Sequence, residues 1–230
     1  MKVYELNVKT FLLEDLKKED VQKELAKLIN GYLALNEKFL AFHEEKNYKP
    51  YCFDSLYPIK NFYAKENLCQ FRIRSIDKDF VNYLLNGFEN YKNYNFKNLL
   101  IKPKVIKQDL IDKIYTLNSL ILKSDEGYWR NNLSVDEFEK RIKENIFKKY
   151  KYFTKNEIEE KDFYDCIKFL NSGPIPCKFK NITLLGDKIE LNIKPDKFSQ
   201  EIAYFSLGVT FSENNSYGFG FEGYKLMERS

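Results

Sequence analysis

The strongest constraint on the fold is a change in hydrophobic period near the start of the chain. Within residues 2–12, Tyr4, Leu6, Val8 and Leu12 fall on one face and Glu5, Asn7 and Lys9 on the other, the alternation of a half-buried strand. From Lys18 to Asn30 the period lengthens: Val21, Leu25, Leu28 and Ile29 form one helical stripe, which Tyr32 extends. On periodicity alone Tyr32 reads as a core residue. Asn30-Gly31 reads as an interruption, followed by a second helical piece with Leu35, Phe39 and Phe42 on its apolar side. Residues 50–59 and 68–76 read as extended. In the second, Cys69, Phe71 and Ile73 alternate with Gln70, Arg72 and Arg74, so both arginines project from one sheet face, either solvated or in contact with a ligand. A helix over Lys78–Tyr91 and a strand over Phe96–Lys107 complete the order strand, helix, strand, strand, helix, strand. That is the ferredoxin-like order, in which helices cover one face of the sheet and the other stays available.

A second, less regular pass of the same order starts near Asp109. Lys113–Lys123 reads as a strand and 125–129 as a turn, and Ser134-Val135-Asp136-Glu137 offers a capping box for a helix through Phe147. A further helix is expected over Lys155–Leu170, ended by Gly173-Pro174-Ile175-Pro176. Phe179–Leu185 and Lys188–Lys194 read as a hairpin about Gly186-Asp187, followed by a short helix at Phe198–Leu207 and a last strand at Tyr217–Met227. The expected class is α+β, with tandem ferredoxin-like (RRM-like) βαββαβ domains over 1–108 and 109–230.

Composition narrows the function classes. The chain has 230 residues, 43% of them hydrophobic, enough for one large or two small cores and incompatible with disorder. The net charge of +4 is mild, but it arises from 38 basic and 34 acidic side chains, so local basic faces are available for nucleic acid. Most of the 17 tyrosines and 20 phenylalanines are expected in cores, and some are candidate stacking platforms. Cys52, Cys69, Cys166 and Cys177 show no C-x-x-C spacing, and one histidine cannot complete a Cys/His zinc pattern, so neither a metal nor a cofactor is expected. The start of the chain reads as a strand rather than a signal segment. With no apolar run of membrane-spanning length, a cytoplasmic protein without a membrane partner is expected.

The only histidine, His43, lies in Tyr32–Phe53, YLALNEKFLAFHEEKNYKPYCF, among lysines and tyrosines. An imidazole with an unperturbed pKa of about 6.5 can take and return a proton near neutral pH. An ammonium nearby can offset charge building on a phosphate oxygen, and Lys46 and Lys49 follow at three and six residues, with Tyr48 between them. The run HEEKNYKPYCFDSLYP, then CQFRIRSID at Cys69–Asp77 and SYGFGFEGYK at Ser216–Lys225, resembles the CRISPR repeat-processing endoribonucleases, which cut long precursor transcripts into guide RNAs.

The resemblance implies two ferredoxin-like domains in tandem and metal-independent cleavage beside a repeat hairpin. In that reaction a ribose 2′-OH attacks the adjacent phosphorus and expels the 5′-oxygen, leaving a 2′,3′-cyclic phosphate and a 5′-OH. It implies His43 as the proton-transfer residue, Lys49 as the electrostatic stabiliser and Tyr32 as the orienting residue, with Tyr48 a rival to Tyr32 and Lys46 a rival to Lys49. A second histidine, used in some branches of the family, is missing here. Tyr217, Gly218 and Gly220 resemble the family's glycine-rich loop, whose backbone can approach phosphates; a strand bulge among packed aromatics is the other reading. With Lys225, Arg72 and Arg74 they are the expected RNA-binding set. The implied partners are CRISPR repeat RNA, as precursor and as crRNA, and other subunits of an interference complex, on a monomer or homodimer. The competing reading keeps the fold and the RNA but not the catalysis.

Overall fold

A computed structural model describes residues 1–45, 47–122 and 127–228, with Phe42, His43 and Glu44 described by their backbone alone. The first unit runs β1 (Tyr4–Leu12), β2 (Leu16–Lys17), α1 (Val21–Leu33), α2 (Glu37–Glu44), β3 (Tyr51–Phe53), β4 (Phe62–Tyr63), β5 (Leu68–Ser75), α3 (Lys78–Leu85) and β6 (Phe96–Val105). Its four-stranded sheet has the order β3-β5-β1-β6, antiparallel throughout. The second unit runs β7 (Ile111–Thr116), α4 (Val135–Thr154), β8 (Tyr164–Phe169), β9 (Ile175–Phe179), β10 (Ile182–Gly186), β11 (Ile189–Ile193), α5 (Lys197–Val209) and β12 (Glu222–Leu226). Its sheet has the order β12-β7-β11-β8. In both, the first and third strands of the βαββαβ unit lie side by side at the centre, which is the ferredoxin-like arrangement. Among the described residues no helix is long and apolar enough to cross a membrane.

Local chemistry explains most of the boundaries. The first helix is not broken at Asn30-Gly31: α1 runs through to Leu33, and a Cβ at Gly31 would press on the Tyr91 hydroxyl at 2.6 Å. The break comes at Asn36, whose side chain accepts from the Lys38 and Phe39 backbone N–H groups and starts α2. Asp77 caps α3 in the same way. The capping box at Ser134 and Glu137 forms as expected, but α4 continues to Thr154, past Phe147. The expected helix over Lys155–Leu170 does not form. Lys155, at φ +59°, ends α4, and Tyr164–Phe169 pairs with β11 as strand β8. The hairpin also shifts: β9 and β10 pair about Lys180-Asn181, while Gly186-Asp187 joins β10 to β11. The buried Asp187 carboxylate accepts from Tyr128, Trp129, Arg130 and Asn171, and this set of bonds holds the junction.

Cys69, Phe71 and Ile73 enter the first core with α1 and α3, so Gln70, Arg72 and Arg74 face the other side of the sheet. That side is not left open at β5. The Arg74 guanidinium is 2% exposed, donates to Glu5 at 2.7 Å and to the Glu222 carbonyl at 2.7 Å, and lies over the Phe221 ring at 4.4 Å. Burial alone would raise the Glu5 carboxyl, but Arg74 and Lys104 outweigh it and hold the pKa below the ordinary value. Arg74 thus ties the two sheets together, which excludes it from the RNA-binding set. The Glu222 carboxyl, fully buried in the same region, accepts from the Ser206 hydroxyl and the Phe211 N–H.

Burial pushes the Glu222 pKa from its ordinary 4.5 up to about 8, against those hydrogen bonds and the nearby Arg74 and Lys149 charges. Above its ordinary value the unfolded chain gives up this proton while the folded chain keeps it. The group's stabilising contribution is therefore full below pH 4.5 and is lost as the pH climbs toward about 8. Glu222→Gln is expected to flatten the fall of Tm between about pH 5 and 8 relative to wild type. Parallel melting profiles for the two proteins across that range would contradict the shift.

Candidate RNA-cleavage groove

The segment that follows α2 does not lie alone on the surface. Residues 45 and 47–49 form one wall of a groove of about 1000 Å³, and the opposite walls are α4, Lys180 and the loop 213–217. Lys49, Arg141, Lys148, Lys149 and Lys180 line it, with Glu45, Glu144 and Glu213 as the acidic side chains among them. The Lys49 ammonium donates to the Glu45 carbonyl at 3.0 Å, and burial lowers its pKa, with Glu45 opposing. The Tyr48 ring meets Tyr152 of α4 edge-on at 5.5 Å. His43 sits in the last turn of α2, two residues before the groove wall begins. Its side chain lies outside the described residues, as does the whole of Lys46.

The loop wall is built with unusual care. Lys149 is 1% exposed, and its ammonium donates to the carbonyls of Val209, Thr210 and Ser212 at 3.0, 2.9 and 2.7 Å. Burial drives its pKa down to about 7, while Glu222 draws it back up. Asn215 donates to the carbonyls of Lys49 and Tyr51 at 2.9 and 2.6 Å, stitching the loop to the segment after α2.

No family model matches the chain. It is 23% identical over 230 residues to CRISPR-associated endoribonuclease Cas6 2 of Methanocaldococcus jannaschii, covering 92% of this chain and 93% of that one. Over that span the chain is similar to a CRISPR-associated endoribonuclease. A solved structure of a CRISPR-associated protein Cas6 superposes with a TM-score of 0.70 at 17% identity, covering 97% of this chain and 99% of that one. A Cas6-related protein from Pyrococcus furiosus gives 0.70 at 18% identity over 97% and 98% of the two chains. An RAMP protein described as binding different RNA substrates gives 0.72 at 16% identity over 96% and 99%. At these identities the structural likeness establishes the tandem ferredoxin-like fold.

The residues matched to the endoribonuclease motifs separate into distinct surroundings. Lys49, Tyr48 and Tyr217 line the groove, and the backbone of His43 leads into it. Tyr32 does not join them: it is 8% exposed, packed against Tyr83, Phe88 and Tyr91, and its hydroxyl donates to the Tyr83 carbonyl at 3.3 Å. The helical stripe had placed it in the core, and the core is where it lies. Arg72 is partly exposed, but its guanidinium is bonded to Asp54 at 2.5 Å and stacked over Tyr57 and Phe221.

Gly218 and Gly220 sit at φ +80° and +69°. A Cβ on Gly218 would meet Phe53 and Gln22 at 2.6 and 2.7 Å, and one on Gly220 would collide with Ser212. Packing between the two sheets therefore accounts for both glycines without requiring a phosphate nearby. Lys225 is exposed on β12, in register with Lys113, and is not among the groove residues. The interleaved bases and rings of 147–152 read in the sequence either as an RNA surface or as a solvated helix end, and of them Lys148, Lys149 and Tyr152 line the groove. Sequence reasoning missed Arg141, Lys180 and Asn215, which carried no local signal.

Proposed function

We propose that the protein is an endoribonuclease that cuts CRISPR precursor transcripts within the repeat, by attack of a ribose 2′-OH on its own 3′-phosphate. The observation that carries this reading is the groove. The segment after the lone histidine, the C-terminal loop and the solvent-accessible side chains of Lys49, Arg141, Lys148 and Lys180 meet around one space large enough for several nucleotides. Such a surface attracts a phosphate backbone, and the attraction weakens with salt.

In the proposed reaction the 2′-oxygen bonds to phosphorus as the bond from phosphorus to the 5′-oxygen breaks. One proton leaves the 2′-OH and one arrives at the departing oxygen, giving a 2′,3′-cyclic phosphate and a 5′-OH. His43 transfers the proton at one of these oxygens, and with a single imidazole water serves the other. Lys49 stabilises charge on the phosphoryl oxygens. Tyr48, a groove tyrosine on the segment that follows His43, takes the orienting role in place of Tyr32. Because the nucleophile belongs to the RNA, the protein's contribution is positioning and proton transfer.

The test is incubation of the purified protein with a repeat RNA in EDTA. A 2′,3′-cyclic phosphate product is expected, and a 2′-deoxy nucleotide at the scissile position is expected to block it. Cleavage of the deoxy substrate would refute the self-attack step. Tight binding of the hairpin with no product from either RNA would favour a non-catalytic RNA-binding subunit.

A further inference from the structure

Two buried polar side chains in the walls of the groove have no part in the proposed chemistry, yet the N–H donors of both are committed to backbone carbonyls. Every proton of the Lys149 ammonium goes to a carbonyl at or just past the C-terminal end of α5. Those carbonyls are otherwise without partners within the helix, and the cation lies at the negative end of its dipole. The backbone there is strained. Thr210, a β-branched residue, sits at φ +58°, and Asn214 also sits at φ +58°. Such conformations cost about 1–3 kcal/mol each and persist only where the surroundings over-determine them, commonly beside functional sites. Here Thr210 is over-determined. Lys149 grips residues 209, 210 and 212, the Ser212 N–H donates to the Thr210 hydroxyl at 3.1 Å, and the Phe211 N–H donates to Glu222 at 2.9 Å.

Five residues after Thr210 the loop reaches Asn215, 5% exposed, whose amide donates to the backbone of Lys49 and Tyr51 across the boundary between the two sheets. We propose that Lys149 and Asn215 form a latch of positioning residues, which sets the segment 47–51, just beyond the last turn of α2, at a fixed distance from the loop wall of the groove. The latch rests on the functional reading above for its consequence but not for its existence. Lys149 sets where the loop leaves α5, and Asn215 transmits that position to the backbone that follows His43. Neither touches the reacting phosphate. Each acts through the placement of the groups that do, where a displacement of about 1 Å can cost about 100-fold in rate.

The test has two arms on the full-length protein. In the first, hydrogen exchange without RNA compares wild type with Asn215→Ala and with Asn215→Asp, which keeps the shape but loses both donors. Faster exchange is expected in 47–51 and 213–217, with the sheets unchanged. Unchanged exchange in both segments would overturn the latch. In the second, single-turnover cleavage and affinity are measured on one repeat RNA. The cleavage rate is expected to fall roughly 30- to 100-fold while the Kd changes less than about threefold. Lys149→Arg is expected to retain more of the rate than Lys149→Met. Equal loss of rate and binding, or a full rate in variants whose exchange has risen, would overturn the positioning role. A wild-type protein that cuts no repeat RNA would defeat the functional reading alone, since the exchange arm still decides the latch.

Discussion

His43→Ala is expected to slow cleavage of a repeat RNA by about 10²- to 10⁴-fold, the usual cost of losing a general acid or base. Affinity for the same RNA should change little. The cations that line the groove come from α4, Lys49 and Lys180, and the substitution leaves all of them in the chain. Single-turnover rates with enzyme in excess, beside equilibrium binding at matched salt, separate the two effects. A variant that cuts within threefold of wild type would remove His43 from the mechanism. The chain offers no other histidine to take over, so the readout is not blurred by a substitute of the same kind.

Arg74→Ala is expected to destabilise the protein by about 3–5 kcal/mol, because it strips the buried Glu5 carboxylate of its main partner and the Glu222 carbonyl of a donor. For a chain of this length that corresponds to a Tm lower by about 10 °C. Arg74→Lys keeps the charge but not the planar fork, so it should fall between the two. At a temperature where the variant remains folded, its affinity for RNA and the salt slope of that affinity should match wild type. A stable Arg74→Ala protein with a shallower salt slope would return this residue to the RNA-binding surface and overturn its assignment to the contact between the sheets.

The two cases show what kind of information each position carried. Arg72 and Arg74 were legible as sharing one sheet face, because alternation along β5 depends only on neighbouring residues. That the face would be covered by Phe221 and Glu222 was not legible, since those residues lie about 150 positions away and nothing local marks them. The same holds for the glycines at 218 and 220. Their presence signals a special backbone, but a phosphate and a neighbouring side chain demand the same missing Cβ, and only the packed neighbours distinguish them. Residues 155–170 failed for a different reason. A short run such as Tyr164–Phe169 fits helix and strand patterns alike, and pairing with β11 decided it.

From the chain alone follow the change of period that builds the first βαββαβ unit, the cap at Ser134, the burial of Tyr32 and the singular position of His43. All of these are set by interactions within a few turns or strand residues. The tertiary structure alone decided which cations share a groove, that Tyr32 stands apart from it, and that Lys149 and Asn215 hold its walls. Those facts depend on long-range contacts between the two sheets, and side-chain type and spacing along the sequence do not encode the distance between residues that meet only after both units have folded.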